Sequence, residues 1–164
     1  MTTELILHWY AFDQLSGAQV YEMLALRQEV FVVEQSCLYH DIDGLDPHCL
    51  HLFGRDAGGR LAAYLRLVPP GVVCELPAIG RVVTRRRDRG RGIGRALVQE
   101  ALRKADELYA ASGVCLFAQV HLQRFYESLG FQAAGEPFDD EGIPHVKMVQ
   151  VWERPAKNTT GRDE

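Results

Sequence analysis

Between positions 81 and 95 the sequence holds seven arginines, at 81, 85, 86, 87, 89, 91 and 95, against one acid, Asp88. Gly90, Gly92 and Gly94 alternate with the last of them, and a helical apolar stripe starts at Ile93. The chemistry open to such a stretch is anion binding. The first amides of a helix have no intrahelical carbonyl, and the macrodipole puts partial positive charge at that end. Glycines there remove the Cβ atoms that would keep a phosphate away from the backbone. The whole chain of 164 residues is net −4, so positive charge is concentrated where the backbone also receives a phosphate. The stretch reads as a diphosphate cradle.

These groups need a scaffold. A strand over 79–84 feeds the basic turn, and a helix over 92–111 follows, with Ile93, Ala96, Leu97, Ala101, Leu102, Ala105 and Leu108 on one stripe. Gly113 marks its stop, and 114–119 is a buried strand. A helix joining two strands of one sheet makes them parallel. Upstream lie a short strand over 5–9 and a helix over 15–33 with Ser16 as its N-cap. The acid-rich segment 34–48 has no period and reads as a loop over the substrate side. A hairpin pairs 49–54 with 60–68 across the turn Asp56-Ala57-Gly58-Gly59. Downstream come a short helix over 122–129, a strand over 131–134, a long acidic connection and a closing strand over 145–152. The expected architecture is α/β with a mixed sheet. Residues 1–153 form a single domain and 154–164 a polar, disordered tail.

Two common phosphate loops fail. A Walker loop ends in Gly-Lys-Ser/Thr, whereas Gly94 precedes Arg95 and Ala96; the Rossmann fingerprint needs a third glycine where Leu97 stands. No run approaches the roughly 20 apolar residues of a membrane span, and the N-terminus does not read as a signal peptide. The four cysteines, 37, 49, 74 and 115, lack C-x-x-C spacing. Cys49, Cys74 and Cys115 are expected to pack as small hydrophobes in a reducing, cytoplasmic setting. His40, His48 and His51 with Asp41, Asp43 and Asp46 match no metal-site spacing, and no metal is expected.

The spacing Arg-x-x-Gly-x-Gly over 89–94 resembles the acyl-coenzyme A loop of the GCN5-related N-acetyltransferases (GNAT). The chain from about 5 to 152 is also similar to the ElaA-type acyltransferase branch, through LRQEVFVVEQ (26–35), DIDGLD (41–46), IGRVV (79–83), AQVHLQRFY (118–126) and DEGIPH (140–145). The resemblance implies the GNAT acyl-CoA N-acyltransferase fold, whose central β-loop-α-β unit splays two strands around the co-substrate acetyl-CoA. It implies that the backbone of Val82, Val83 and Thr84 pairs with the pantetheine arm, a Val83 N–H polarising the thioester carbonyl. The amides of Arg89, Gly90, Arg91, Gly92, Ile93, Gly94 and Arg95 would take the pyrophosphate. Arg85, Arg86 and Arg87 could reach outer phosphates. Tyr126 would protonate the departing thiolate. No carboxylate stands beside 77–80, where many relatives carry a glutamate, so His121 is the leading general base, with Glu34 binding the amine or acting through water.

The implied activity is an acetyl-CoA-dependent N-acetyltransferase that moves an acyl group directly to a primary amine, either of a small molecule or of a lysine. Two other readings stand beside it: a non-catalytic acyl-CoA sensor and a nucleic-acid-binding module using the Arg81–Arg95 cluster. Net acidity and the lack of an aromatic-basic stripe argue against nucleic acid. No membrane partner is expected, and a homodimer through a sheet edge is possible. Acids in 34–46 and at Asp139, Asp140 and Glu141 would suit a cationic acceptor.

Overall fold

The computed structural model describes residues 4–153, so the tail expected over 154–164 lies outside the described residues. Its strands are β1 (Ile6–Ala11), β2 (Leu50–Arg55), β3 (Leu61–Val68), β4 (Ala78–Thr84), β5 (Gly113–Gln119), β6 (Gln132–Ala133), β7 (Phe138–Asp140) and β8 (Ile143–Val151). The helices are α1 (Gly17–Arg27), α2 (Ile93–Tyr109) and α3 (Gln123–Glu127). One mixed sheet takes all eight strands in the order β1-β2-β3-β4-β5-β8-β6, with β7 following β6 along the outer edge of β8. All neighbours are antiparallel except β4 and β5, the parallel pair that the helix crossover requires. The mixed α/β architecture is the expected one. The short β7 is an addition, inside what reads from sequence as an irregular connection.

Period-2 alternation sends side chains to two faces, one covered by α2 with the short α3 and the other by α1. On one side Leu52, Leu65, Leu67 and Ile79 meet Ile93, Leu97, Val98, Ala101 and Ala105 of α2. On the other, Phe53, Leu61, Tyr64 and Val83 meet Met23 and Leu26 of α1, with Val30 and Phe31 beyond it. The stripe expected on α2 is corrected at two positions: Ala96 and Leu108 are exposed, and Val98 is buried instead. A narrower stripe suffices because α2 packs against a single sheet face.

The first helix starts at Gly17 with Ser16 as its cap. The expectation that no Glu or Gln stands three residues on is corrected, since Gln19 occupies that place and closes a reciprocal capping box. Gln19 N–H donates to Ser16 Oγ at 3.1 Å, and Ser16 N–H to Gln19 Oε1 at 2.8 Å. After Arg27 the chain continues as a wider π-helical turn over Gln28–Glu34, with Gln35 N–H reaching back to Val30 at 3.0 Å. Segments of this kind are rare and concentrate at functional sites.

Two further readings are corrected. Helix α2 stops at Tyr109, capped by Ala110 with φ 43°, and not at Gly113. Gly113 is needed for another reason: a Cβ there would lie 2.0 Å from the backbone oxygen of Gln150 on β8. Cys74 and Cys115 do not pack separately but form a disulfide, leaving Cys37 and Cys49 as buried free thiols among the described residues. The two sulfurs meet because Cys115 pairs in register with Ala78, four residues after Cys74. The cysteines therefore no longer argue for a reducing compartment. Among the described residues no helix is long and apolar enough to cross a membrane.

Gly113→Ala forces β8 away from β5, a backbone clash that no rotamer relieves. Urea unfolding is expected to show a loss of about 2 kcal/mol or more. A change within ~0.5 kcal/mol would mean that the two strands shift freely.

Candidate active site

Strands β4 and β5 meet at one registered pair, Ala78 with Cys115, supported by Cys115 N–H donating to Pro77 at 3.0 Å. Beyond it they diverge, and the edge of β4 facing β5 is left open. The opening is shaped by an irregularity in β4. Against β3, Val83 pairs with Tyr64 and Gly80 with Arg66, so an extra residue is accommodated between them. Arg81 absorbs it with φ 53°, a left-handed conformation uncommon for a side-chain-bearing residue. As a result Ile79 and Val82, three apart, both reach the α2 side. A regular strand would place them on opposite faces.

The divergence holds a small junction cavity of about 120 Å³. Ile79, Gly80 and Val82 line one wall, Leu116, Ala118 and Gln119 the other, with Tyr126 and His145 also at its border. On one side it adjoins a cavity of about 540 Å³ walled by Val82, Thr84, Arg89, Gly90 and the first turn of α2. Every residue expected to hold the coenzyme borders that larger cavity except Val83 and Arg91. The side chain of Val83 turns into the α1-side core, and its backbone pairs with Tyr64 on β3, so Val83 does not face the gap. Gly92 caps α2 with φ 74°, a left-handed turn that aims the amides of Ile93, Gly94 and Arg95 outward, before any intrahelical carbonyl is available to them. Phe125 lies 3.7 Å from the Cβ position of Gly94, so α3 closes over this helix start. Arg85, Arg86 and Arg87 border a separate hollow with Glu29 and Arg60.

The three expected catalytic side chains fall in different places. Tyr126 is 6% exposed and borders both the junction and the coenzyme-side cavity. Burial pushes its phenol up to about 12, so it holds its proton at any physiological pH. His121 is exposed on the coenzyme-side cavity and does not border the junction. Glu34 ends the π-helical turn and receives a two-pronged bond from Arg89, one arm at 3.0 Å, while Arg89 Nε donates to Thr84 at 3.0 Å. Glu34 thereby fastens the first residue of the glycine loop to the first helical segment.

On the opposite side of the junction lies a cavity of about 480 Å³. Its walls carry Tyr39, Asp43, Arg66 and Arg81, and its outer rim carries Phe117, Phe138, Asp140 and Glu141. The acids of the 34–48 loop are not free here. Arg27 binds Asp41 at 2.9 Å and Asp46 at 2.8 Å; Arg66 binds Asp46 at 3.0 Å and also Asp43; Arg81 reaches Asp43 at 3.3 Å and Asp41 at 2.9 Å. Three arginines and three aspartates alternate in a closed ring. Arg27 is fully buried within it. Below, His51 is fixed between Asp46 O at 2.8 Å and Tyr64 Oη at 2.6 Å. A carbonyl only accepts, so the ring proton is on Nε2 and the Tyr64 hydroxyl donates to Nδ1. Burial pushes His51 down and Tyr64 up. Asp140 and Glu141, by contrast, have no ion-pair partner among the described residues.

Sequence reasoning missed the ring, with Arg27 and Arg66 in it, and the placement of Phe117 and His145 at the border of the junction. One signal was available: Arg66 is the lone charge in the apolar run LAAYLRLV. A charge in a strand buried on both faces needs a partner.

Splayed strands, a glycine loop at a helix start and a buried tyrosine between two cavities define an acyl-coenzyme A-dependent acyltransferase architecture. The acetyltransferase (GNAT) domain family matches residues 13–151, and the chain belongs to that family. It is 47% identical over 141 residues to a UPF0039 protein of Synechocystis, covering 86% of this chain and 92% of that one. It is 39% identical over 140 residues to protein ElaA of Escherichia coli, covering 84% and 91%. Among solved structures, it superposes on an acyl-CoA N-acyltransferase from Pseudomonas aeruginosa with TM-score 0.84 at 39% identity, over 90% of this chain and all of that one. For Escherichia coli ElaA the TM-score is 0.83 at 36% identity, over 90% and 99%. Membership makes acyl transfer, with acyl-CoA as co-substrate, the general class of activity.

The ring has a pH signature. Burial pushes the Asp43 carboxyl up, but the Arg66 hydrogen bond, the Leu45 amide and the charges of Arg66 and Arg81 outweigh it, bringing it from 3.8 to about 2. Asp46 is lowered by Arg27 and Arg66 against a larger opposing effect of burial than any single partner supplies. A pKa depressed on folding gives stability that is complete above the unfolded value and lost as pH falls through the folded one. Stability is therefore expected to hold down to about pH 4 and fall towards pH 2. Asp43→Asn should be less stable at neutral pH and lose less across that acid window. Urea midpoints measured from pH 7 to 2 check this; parallel curves for the two proteins would exclude Asp43 as a contributor.

Proposed function

We propose that the protein is an N-acetyltransferase that moves the acetyl group of acetyl-CoA directly to a primary amine, with Tyr126 as the general acid. The observation that carries this reading is the position of Tyr126. Its phenol, protonated throughout the physiological range, borders the gap where coenzyme sulfur and incoming amine have to meet. The size of the junction, about 120 Å³, supports a short acyl group. Support for direct attack comes from the thiols: Cys115 is tied to Cys74, and burial keeps Cys37 protonated by raising its pKa. The open edge of β4 around Val82 to Thr84 pairs with the amides of the pantetheine arm. Arg85 N–H donates to Ala62 O at 2.8 Å and Val83 pairs with Tyr64 in the same register, so the N–H of Val83 is turned to β3. The N–H of Val82, in place of the expected Val83, takes the developing oxyanion. The amides from Gly90 to Arg95 take the pyrophosphate, and Glu34 keeps Arg89 in place beside them. His121, on the same cavity as Tyr126, exchanges protons between that side and solvent.

The acceptor enters from the far cavity. The unpaired Asp140 and Glu141 at its rim favour an amine that carries further positive charge, a small polyamine or a lysine side chain. Exposed Phe117 and Phe138, edge to face at 6.2 Å, supply an apolar wall for its carbon chain.

Thermal unfolding with acetyl-CoA tests the cradle. At 100 times the dissociation constant, a ligand specific for the folded state adds about 2.7 kcal/mol, a clear rise in midpoint. Arg89→Glu, which sets an acid against both Glu34 and the phosphates, should abolish that rise. No rise for the wild-type protein at millimolar acetyl-CoA would sink the reading.

Tyr126→Phe separates catalysis from binding. It should lower kcat about a hundredfold or more while the acetyl-CoA-induced rise in midpoint persists. Coenzyme A release at saturating acetyl-CoA and amine is the readout; an unchanged kcat removes Tyr126 from the mechanism.

A further inference from the structure

The direct transfer proposed above, on which this inference rests, needs a group that takes a proton from the incoming ammonium. It has to border the junction and carry a free lone pair near neutral pH. Four titratable residues border the junction: Tyr39, Arg81, Tyr126 and His145. Burial pushes both phenols up to about 12, so neither accepts a proton. Arg81 is a guanidinium, already bound to Asp41 and Asp43 and stacked 5.2 Å over the Tyr39 ring. His40 borders the acceptor-side cavity and His121 the coenzyme-side cavity, and neither reaches the junction.

We infer that His145 is the general base, accepting the amine proton at Nε2. Its position is fixed from three directions. On β8 it pairs in register with Gln119, the last residue of β5, and with Phe138 on β7. It therefore stands where the sheet opens, and it borders the junction and the acceptor-side cavity together. Its ring stacks on Phe138 with centroids 6.1 Å apart and planes at 27°. Its Nδ1 lies 2.8 Å from Ile143 O. That oxygen can only accept, so the neutral ring carries its proton on Nδ1, and the lone pair is left on Nε2. Among the described residues nothing else is bonded to Nε2.

Proton and electron flow balance without another reactant. Nε2 takes one proton from the ammonium, and the freed nitrogen pair forms the C–N bond as the carbonyl π pair moves to oxygen. The pair returns, the C–S bond breaks, and the thiolate takes the Tyr126 proton. The second nitrogen proton then passes to the phenolate, and the imidazolium releases its own to water. Acid and base thus stand on opposite sides of the reacting carbon, Tyr126 towards the coenzyme and His145 towards the amine.

Charged neighbours bear on the pH response. The loop contributes His40 and Asp43, β3 and β4 contribute Arg66 and Arg81, and the β7–β8 turn contributes Asp140 and Glu141.

The test is the pH profile of kcat/KM for the amine at saturating acetyl-CoA, for wild type, His145→Gln and His145→Ala. The wild-type rate should fall in acid as an imidazole takes up its proton. His145→Gln should lose a hundredfold or more and lack that acid limb, while keeping the acetyl-CoA-induced rise in midpoint that reports a folded, coenzyme-competent protein. Added imidazole should restore at least tenfold of the activity of His145→Ala, which a purely structural histidine would not allow. An unaltered acid limb in His145→Gln, or no rescue in a folded His145→Ala, overturns the assignment. Acetyl-CoA binding without amine-dependent coenzyme release by the wild type would instead overturn the acetyltransferase reading, and this assignment with it.

Discussion

Arg27 carries a full positive charge at a site with no solvent exposure, and much of the architecture around the gap follows from making that tolerable. An isolated guanidinium there would cost several kcal/mol in desolvation, more than the surrounding apolar contacts could offset. Asp41 and Asp46 neutralise it, and each needs a second cation of its own, supplied by Arg81 and Arg66; Asp43 joins those two. The closed circuit leaves no charge of the six without an opposite neighbour on both sides. It joins the C-terminus of α1, the loop that follows, β3 and the irregular position on β4. Those are the four pieces that must be in register for an acceptor cavity to exist.

The bulge and the ring explain each other. A left-handed Arg81 costs of order 1–2 kcal/mol relative to a regular strand, and it persists because its guanidinium is held by two carboxylates and stacked on Tyr39. In return the bulge turns Val82 towards α2 and opens the edge of β4, so the strand carrying the strain is the one whose edge borders the junction. On the coenzyme side a second, more exposed clasp works alike, Glu34 holding Arg89. Both clasps draw on the helical segment that begins at Ser16. Arg27 ends α1 and Glu34 ends the π-helical turn that follows it.

Much of this was legible in the sequence because it is local. The glycine loop, the amphipathic helix behind it, the crossover and the hairpin all follow from spacing, and the mixed sheet follows from them. The coenzyme-side cavity was largely legible for the same reason: most of its wall, from Val82 to Arg95, is one continuous stretch of chain, although Val30, Gln35 and the 121–126 segment complete it. The acceptor side was not, since its walls come from five separate segments, and no spacing links Arg66 to Asp43 or His145 to Gln119. Composition even misled there. Asp41, Asp43 and Asp46 look available for a cationic ligand until the arginines that consume them are brought alongside by β3 and β4. The register of β8 on β5, which sets His145 at the opening, joins strands separated in sequence by α3, β6 and β7, so no local spacing reveals it.

The Cys74–Cys115 bond has a topological meaning of its own. Its two ends are 41 residues apart, and the segment between them contains all of β4, the basic turn, the glycine loop and α2. The strand-loop-helix unit is therefore a covalent ring within the chain, closed beside the one registered pair of β4 and β5. By the chain-entropy argument, closing a ring of that size restricts the unfolded chain by about 4 kcal/mol. The gap can widen at its mouth but cannot unzip from its apex, and a protease that nicks the glycine loop would leave the two pieces joined. Oxidation state thus decides whether the cradle is a loop of chain or a closed hoop.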